Sequence, residues 1–169
     1  MIDTVWIASG GGPLLLMHHS LLSAWRGVSG RAEGAGAYTS DYDRACAVED
    51  EIAVLEGSPH ILVLGDEPDA TSIRAGTAAS FIVRWRAAPS VSQMEAAVAR
   101  HINQLPFERV GQFTTVPGEH VLFDSAFAGP DAKAVTVTTL DGTSYDLATA
   151  MLTDADGVSA LVHRLSRVV

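Results

Sequence analysis

Residues 60–85 constrain this chain more than any other stretch. Ile61-Leu62-Val63-Leu64 contains no polar residue, so a strand built from it has to be buried on both faces. Gly65-Asp66-Glu67-Pro68 stops it abruptly, because Gly admits backbone angles that other residues avoid and Pro has no N–H to give a ladder. Phe81, Val83 and Trp85 then alternate with Ile82, Arg84 and Arg86, the period of a second strand with one wetter face. A strand ending in Gly-Asp-Glu invites a catalytic or metal-binding reading, and the rest of the sequence tests it.

The chain has 169 residues, the size of one domain spanning 1–169, with room for two sub-halves, 1–88 and 106–169, joined by a helix near 90–105. Its 47% hydrophobic and 18% charged residues suit a buried core and not a disordered tail. No window reaches the roughly 18 to 20 apolar residues of a membrane-spanning helix, so no membrane partner is expected. The first residues show neither a basic region nor a long apolar segment, so no signal peptide is expected. Cys46 stands alone, which excludes an intrachain disulfide and a cysteine zinc cage. These points favour the cytoplasm. The net charge of -9 opposes binding to nucleic acid, which needs clustered Lys and Arg, and suits a basic protein partner.

Taken in order, Val5-Trp6-Ile7-Ala8, the Gly10–Gly12 turn with Pro13, and Leu14-Leu15-Leu16-Met17 read as a hairpin. The Gly-Lys-Ser/Thr ending of a phosphate loop is missing. Residues 20–27 suit a short helix capped by Ser20, with Leu21, Leu22 and Trp25 on one face and Gly27 beyond its end. Residues 28–36 read as a loop. From Ser40 the chain opens either a helix, capped by Ser40 or Asp41, or a strand edge. The carboxylates Glu49-Asp50-Glu51 lead into a strand over 52–55.

Residues 89–105 form the clearest helix. Val91, Met94, Val98, Ile102 and Leu105 make one apolar stripe, and either Ser92 with Glu95 or Ser90 with Gln93 caps it. Strands over 119–124, 134–140, 143–152 and 159–165, with a turn at Asp141-Gly142, complete an antiparallel meander. The expected class is therefore α+β, rich in mostly antiparallel strands. His60–Asp66 followed by Phe81–Trp85 echoes His120–Asp124 followed by 161–165, which suggests a duplicated β unit.

No residue set here carries chemistry by spacing. Ser9 lacks the Gly-x-Ser-x-Gly frame of a nucleophile elbow. Asp66 and Glu67 are adjacent, as are His18 and His19, so in a strand each pair points to opposite faces. His120 and Asp124 share a face but stand about 13 Å apart along a strand. No metal or other cofactor is expected. A carboxylate-cleft hydrolase assembled from Asp66, Glu67, Asp124 or His120 stays open as an alternative, as does a scaffold for some other protein. The plainer reading makes Asp66 an acceptor for turn amides, and makes Arg84 and Arg164 paired or snorkelling edge-strand residues.

Several stretches, kept in order, resemble the immunity protein 21 family of bacterial polymorphic toxin systems. They are Trp6 to Leu14 with Gly12 and Pro13, Trp25-Arg26-Gly27, Ser40 to Cys46, Leu62 to Pro68 with Gly65, Asp66 and Glu67, then Thr71, Val83-Arg84-Trp85, Leu122-Phe123-Asp124 and 161–165. The resemblance implies a non-enzymatic intracellular protein that binds and neutralises a cognate toxin. Joined to the acidic charge, it points to Asp41, Asp43, Glu49, Asp50 and Glu51 as toxin-binding residues. Gly12, Pro13, Trp25, Gly65, Asp66, Glu67, Pro68, Arg84 and Trp85 then read as structural signatures.

Overall fold

Leu15 and Leu16 are neighbours on one strand, point to opposite faces, and are both fully buried. Only a sheet covered on both sides allows this. The computed structural model describes residues 4–29, 39–65, 67–76, 78–133 and 135–168. Among them ten strands form two five-stranded antiparallel sheets. The first contains β1 (Leu14–His18), β2 (Ala53–Val54), β3 (Ile61–Leu64), β7 (Gly118–Asp124) and β8 (Val135–Leu140), in the order β2-β3-β1-β7-β8. The second contains β4 (Thr71–Arg74), β5 (Ala79–Ala87), β6 (Glu108–Thr114), β9 (Ser144–Thr153) and β10 (Ser159–Arg167), in the order β4-β5-β10-β9-β6. The expected β-rich α+β class holds.

The inner faces of the sheets meet in one core. Leu16, Leu62 and Leu122 of the first sheet pack with Ile82, Phe113 and Leu165 of the second. On the outer face of the first sheet, Met17, Val63 and Phe123 lie under Trp25, Ala45 and Leu55. These come from a 3-10 helix (His19–Ala24) and its exit, from α1 (Asp41–Cys46), and from the turn after β2. On the outer face of the second sheet, Val83, Leu152 and Val162 lie under Met94, Ala97 and Val98 of α2 (Val91–His101). The result is four layers. The continuous burial expected for residues 61–64 follows, since all four are buried.

Local chemistry fixes several ends. Ser40 caps α1 by accepting from the Asp43 N–H, which settles the 40–48 stretch as helix and not strand edge. Ser90 caps α2 by accepting from the Gln93 N–H, so of the two registers the Ser90–Gln93 one forms. Val91 then falls outside the buried stripe and is 53% exposed. At Gly27, φ is +57° and an added Cβ would sit 2.4 Å from the Ala126 carbonyl oxygen, so only glycine fits there.

Other expectations are corrected. The hairpin between residues 5–8 and 14–17 does not form. Ile7 instead bridges Thr71, while β1 pairs β3 and β7. The 20–27 helix is a 3-10 turn over His19–Ala24, and the His18 side chain, not Ser20, caps it. The strand over 52–55 shrinks to two residues, Ala53–Val54. Asp141-Gly142 turns no hairpin: β8 and β9 belong to different sheets, so the chain crosses between layers there. Tyr145 and Leu147 face the inter-sheet core, but Met151 further along the same side of the strand is 48% exposed. Strands β3 and β7 run in the same direction on either side of β1, with Leu64 and Asp124 both level with Leu14.

Candidate functional site

The wetter face expected for the 81–86 strand is its most buried one. Ile82 is 0% and Arg84 1% exposed, because this face points at the other sheet. β5 is also no edge strand, lying between β4 and β10. An arginine in that position needs a full set of acceptors, since a buried charge without them is costly. It has them. Nη1 of Arg84 donates to the Glu51 carbonyl oxygen at 2.7 Å, and Nη2 donates to the carbonyl oxygens of Gly65, at 2.7 Å, and of Glu67. Nε lies 3.9 Å from the Asp69 carboxylate, which also pairs with Arg86 at 3.1 Å.

These contacts join two loops of the first sheet to one side chain of the second. Gly65 brings the loops together. A Cβ there would sit 2.4 Å from the Asp50 carbonyl oxygen and 2.7 Å from that of Val48, so only glycine lets the backbones cross so closely. Glu67 and Pro68 are exposed. Asp66, expected to accept turn amides, lies outside the described residues. The turn is gripped through its carbonyls, and Arg84 does the gripping.

Segment 49–51 is thereby pinned by its backbone while its side chains point outward. Glu49 and Asp50 are exposed and Glu51 is half-buried. Together with Val54 of β2, Val110 of β6 and Leu147 of β9, they line a cleft of about 510 Å³ where the edge strands β2 and β6 face each other. The three carboxylates give it an acidic rim, and the rest of its lining mixes apolar side chains with the neutral polar Gln112 and Thr149.

The other acids expected to bind a partner are placed differently. Asp41 is 2% exposed; one carboxylate oxygen accepts from the Arg26 N–H at 2.9 Å and the other pairs with Arg44 at 3.1 Å. Arg44 in turn donates to the Glu56 carbonyl and the Ser58 hydroxyl, both at 3.0 Å, so Asp41 ties α1 to the turn before β3. Asp43 is half-exposed at the start of α1. The hydroxyls of Thr39 and Ser40 donate to its carboxylate and hold its pKa below the usual range. The structure therefore brings together Glu49, Asp50 and Glu51, and sets Asp41 apart as an internal tie.

Among the described residues, the groups considered for a catalytic cleft do not converge. Asp124 accepts from the N–H groups of Gly10 and Ala126, at 2.8 and 2.9 Å, and so pins two turns. His120, level with His18 at the far end of the ladder, is fully buried between the Thr115 hydroxyl at 2.7 Å and the Gly118 carbonyl at 3.0 Å. Burial pushes its pKa down. Among the described residues no group of three or more His, Cys, Asp or Glu side chains could hold a metal ion. No helix among them is long and apolar enough to cross a membrane.

The remaining signatures are structural in position. Pro13 accepts from the Ser125 N–H, and the Trp25 indole donates to the Ser125 carbonyl at 3.0 Å. A Cβ on Gly12 would sit 2.5 Å from the Tyr42 ring. Trp85 packs edge-on against Trp6 with centroids 5.3 Å apart. Sequence reasoning missed the clamp, although one signal was available: an arginine set directly between Val83 and Trp85 in a strand has to find acceptors if its face is buried.

A family model described as Immunity protein 21 matches residues 5–157. Neither a curated protein nor a solved structure matches the chain.

Proposed function

Because the chain belongs to the immunity protein 21 family, we propose that it binds and neutralises one cognate toxin of a polymorphic toxin system. In this reading it acts as a stoichiometric inhibitor and not as an enzyme, in the cytoplasm of the cell that makes the toxin. The rim of Glu49, Asp50 and Glu51 closes on a basic active-site cleft of the toxin or on ground beside it. Asp43 belongs to the same binding set, and buried Asp41 serves it by holding α1.

The observation that carries this reading is the pairing of a backbone held by Arg84 and packed against Gly65 with the exposed carboxylates of Glu49 and Asp50 and the half-buried one of Glu51. A loop already ordered before binding loses little further entropy in the complex, so more of the contact energy appears as affinity. The net charge of -9 adds long-range attraction toward a basic partner and raises the association rate.

The test is calorimetry with the C-terminal domain of the toxin encoded beside this gene. Glu49→Lys with Asp50→Lys should weaken binding at least about tenfold while leaving the thermal midpoint in place. Unchanged affinity would remove the rim from the interface. Failure of the unaltered chain to bind that domain at all would remove the toxin reading itself.

A further inference from the structure

Sheet edges carry unpaired N–H and C=O groups, and proteins that stay monomeric protect them with charge, bulges, shortness or cover. The edges here are unequal. β2 is two residues long and follows the three carboxylates of 49–51. β4 is bridged at Thr71 by Ile7 and ends in Arg74. β6 carries Glu108, Arg109 and a register shift at Val110. β8 has none of these devices. It reads Val-Thr-Val-Thr-Thr-Leu and pairs β7 in unbroken register, with no strand among the described residues bonded on its other side. On its outer face Val135 is 38% and Val137 50% exposed, and Thr139 is exposed as well.

We propose that β8 is a self-association edge, to which a second copy of this chain adds its own β8, antiparallel, about a two-fold axis through Val137. That axis sets Val137 against its own copy and Val135 against Thr139 on the outer face, and Thr136 against Thr138 on the inner face, so each face meets its own kind. Lys133, the only lysine of the chain, and Asp141 lie just beyond the two ends of the strand and are both exposed, so at each end the axis brings a lysine of one copy to the side of an aspartate of the other. A charge of -9 makes two copies repel over most of their surfaces. This edge is uncharged along its length and flanked by opposite charges, so it is where copies can approach. A contact of this length lies below the roughly 1,200–2,000 Å² of a standard interface, so the dimer is weak and depends on concentration.

Sedimentation velocity of the full chain alone, over roughly 1 to 500 μM, tests this apart from any toxin binding. The expected result is a monomer that passes into dimer as concentration rises. Val137→Lys places two ammonium groups at the axis and should raise the dissociation constant at least about tenfold. Asp141→Lys alone should weaken the dimer, and Lys133→Asp together with Asp141→Lys should restore it. A monomer at every concentration, or a dimer indifferent to Val137→Lys, overturns the proposal. Amide protection of 135–140 that arises only on adding the toxin domain also overturns it, by giving the edge to a different protein.

Discussion

Arg84 donates to the carbonyl oxygen of Glu51 at 2.7 Å, so a side chain rooted in one sheet fixes the acidic segment carried by the other. The same guanidinium takes the Gly65 carbonyl at 2.7 Å. Planar and five-donor, it serves acceptors in several directions at once, which a lysine ammonium on a flexible stem does not reproduce.

Arg84→Met should therefore destabilise the fold by about 3–5 kcal/mol, the range for stripping one partner from a buried charged network. Arg84→Lys should recover only part of this. Urea denaturation read by tryptophan fluorescence measures both; equal stability of the Lys variant and the unaltered chain would show that the spread of donors is irrelevant.

Gly65 and Gly111 make a controlled pair. An alanine Cβ at 65 would press on two carbonyl oxygens, whereas at 111 nothing lies within 4 Å. Gly65→Ala should cost upwards of about 2 kcal/mol, and Gly111→Ala should stay within about 0.5 kcal/mol of zero. Thermal melts of the two variants side by side decide it.

Asp41 and Glu49 should separate in the same way. Asp41→Ala takes one of three acceptors from half-buried Arg44 and the acceptor of the Arg26 N–H, and should cost about 1–3 kcal/mol. Glu49→Ala alters an exposed side chain and should move stability by no more than about 0.5 kcal/mol. A large stability loss at Glu49 would mean that the rim is part of the fold's support.

His163 sets a pH dependence. Burial first, then the nearby Arg84 and Arg86 charges, push its pKa down to about 3, so it stays neutral in the folded chain. The unfolded chain binds a proton near the usual value of about 6.5 and the folded chain does not. Its contribution is thus fully present above pH ~6.5 and is lost as pH falls from there toward 3, by about 1.4 kcal/mol per pH unit. Stability measured from pH 7 to 4 should fall less steeply for His163→Gln than for the unaltered chain. Parallel slopes would show that His163 is protonated in the folded state.

Much of the architecture was legible because it rests on local pattern. The apolar run at 61–64, the stripe through Met94 and Val98, and the four strands expected over 119–165 all became the elements they suggested. The corrections share one cause, which is that layer membership is not local. Nothing near Asp141 and Gly142 says that β8 and β9 lie in different sheets. Nor does anything near Arg84 say that its face meets a second sheet and not water. β4 and β6 were missed for a related reason: Thr71–Arg74 and Glu108–Thr114 are short or mostly polar, and tertiary pairing with β5 and β9 makes them strands. Of the candidate site, the carboxylates were visible as a run, but their division into a buried tie at Asp41 and an exposed rim at 49–51 depended on contacts far apart in the chain.

Arg84 holds the 49–51 segment by the Glu51 main-chain oxygen, and Gly65 lies closest to the main-chain oxygens of Asp50 and Val48, atoms that all twenty amino acids supply alike. The loop's shape is therefore indifferent to its spelling. Residues 49 and 50 can be rewritten freely, charge reversals included, while the display they form keeps its position. Such a surface can drift to follow a changing partner without first having to re-solve the problem of folding.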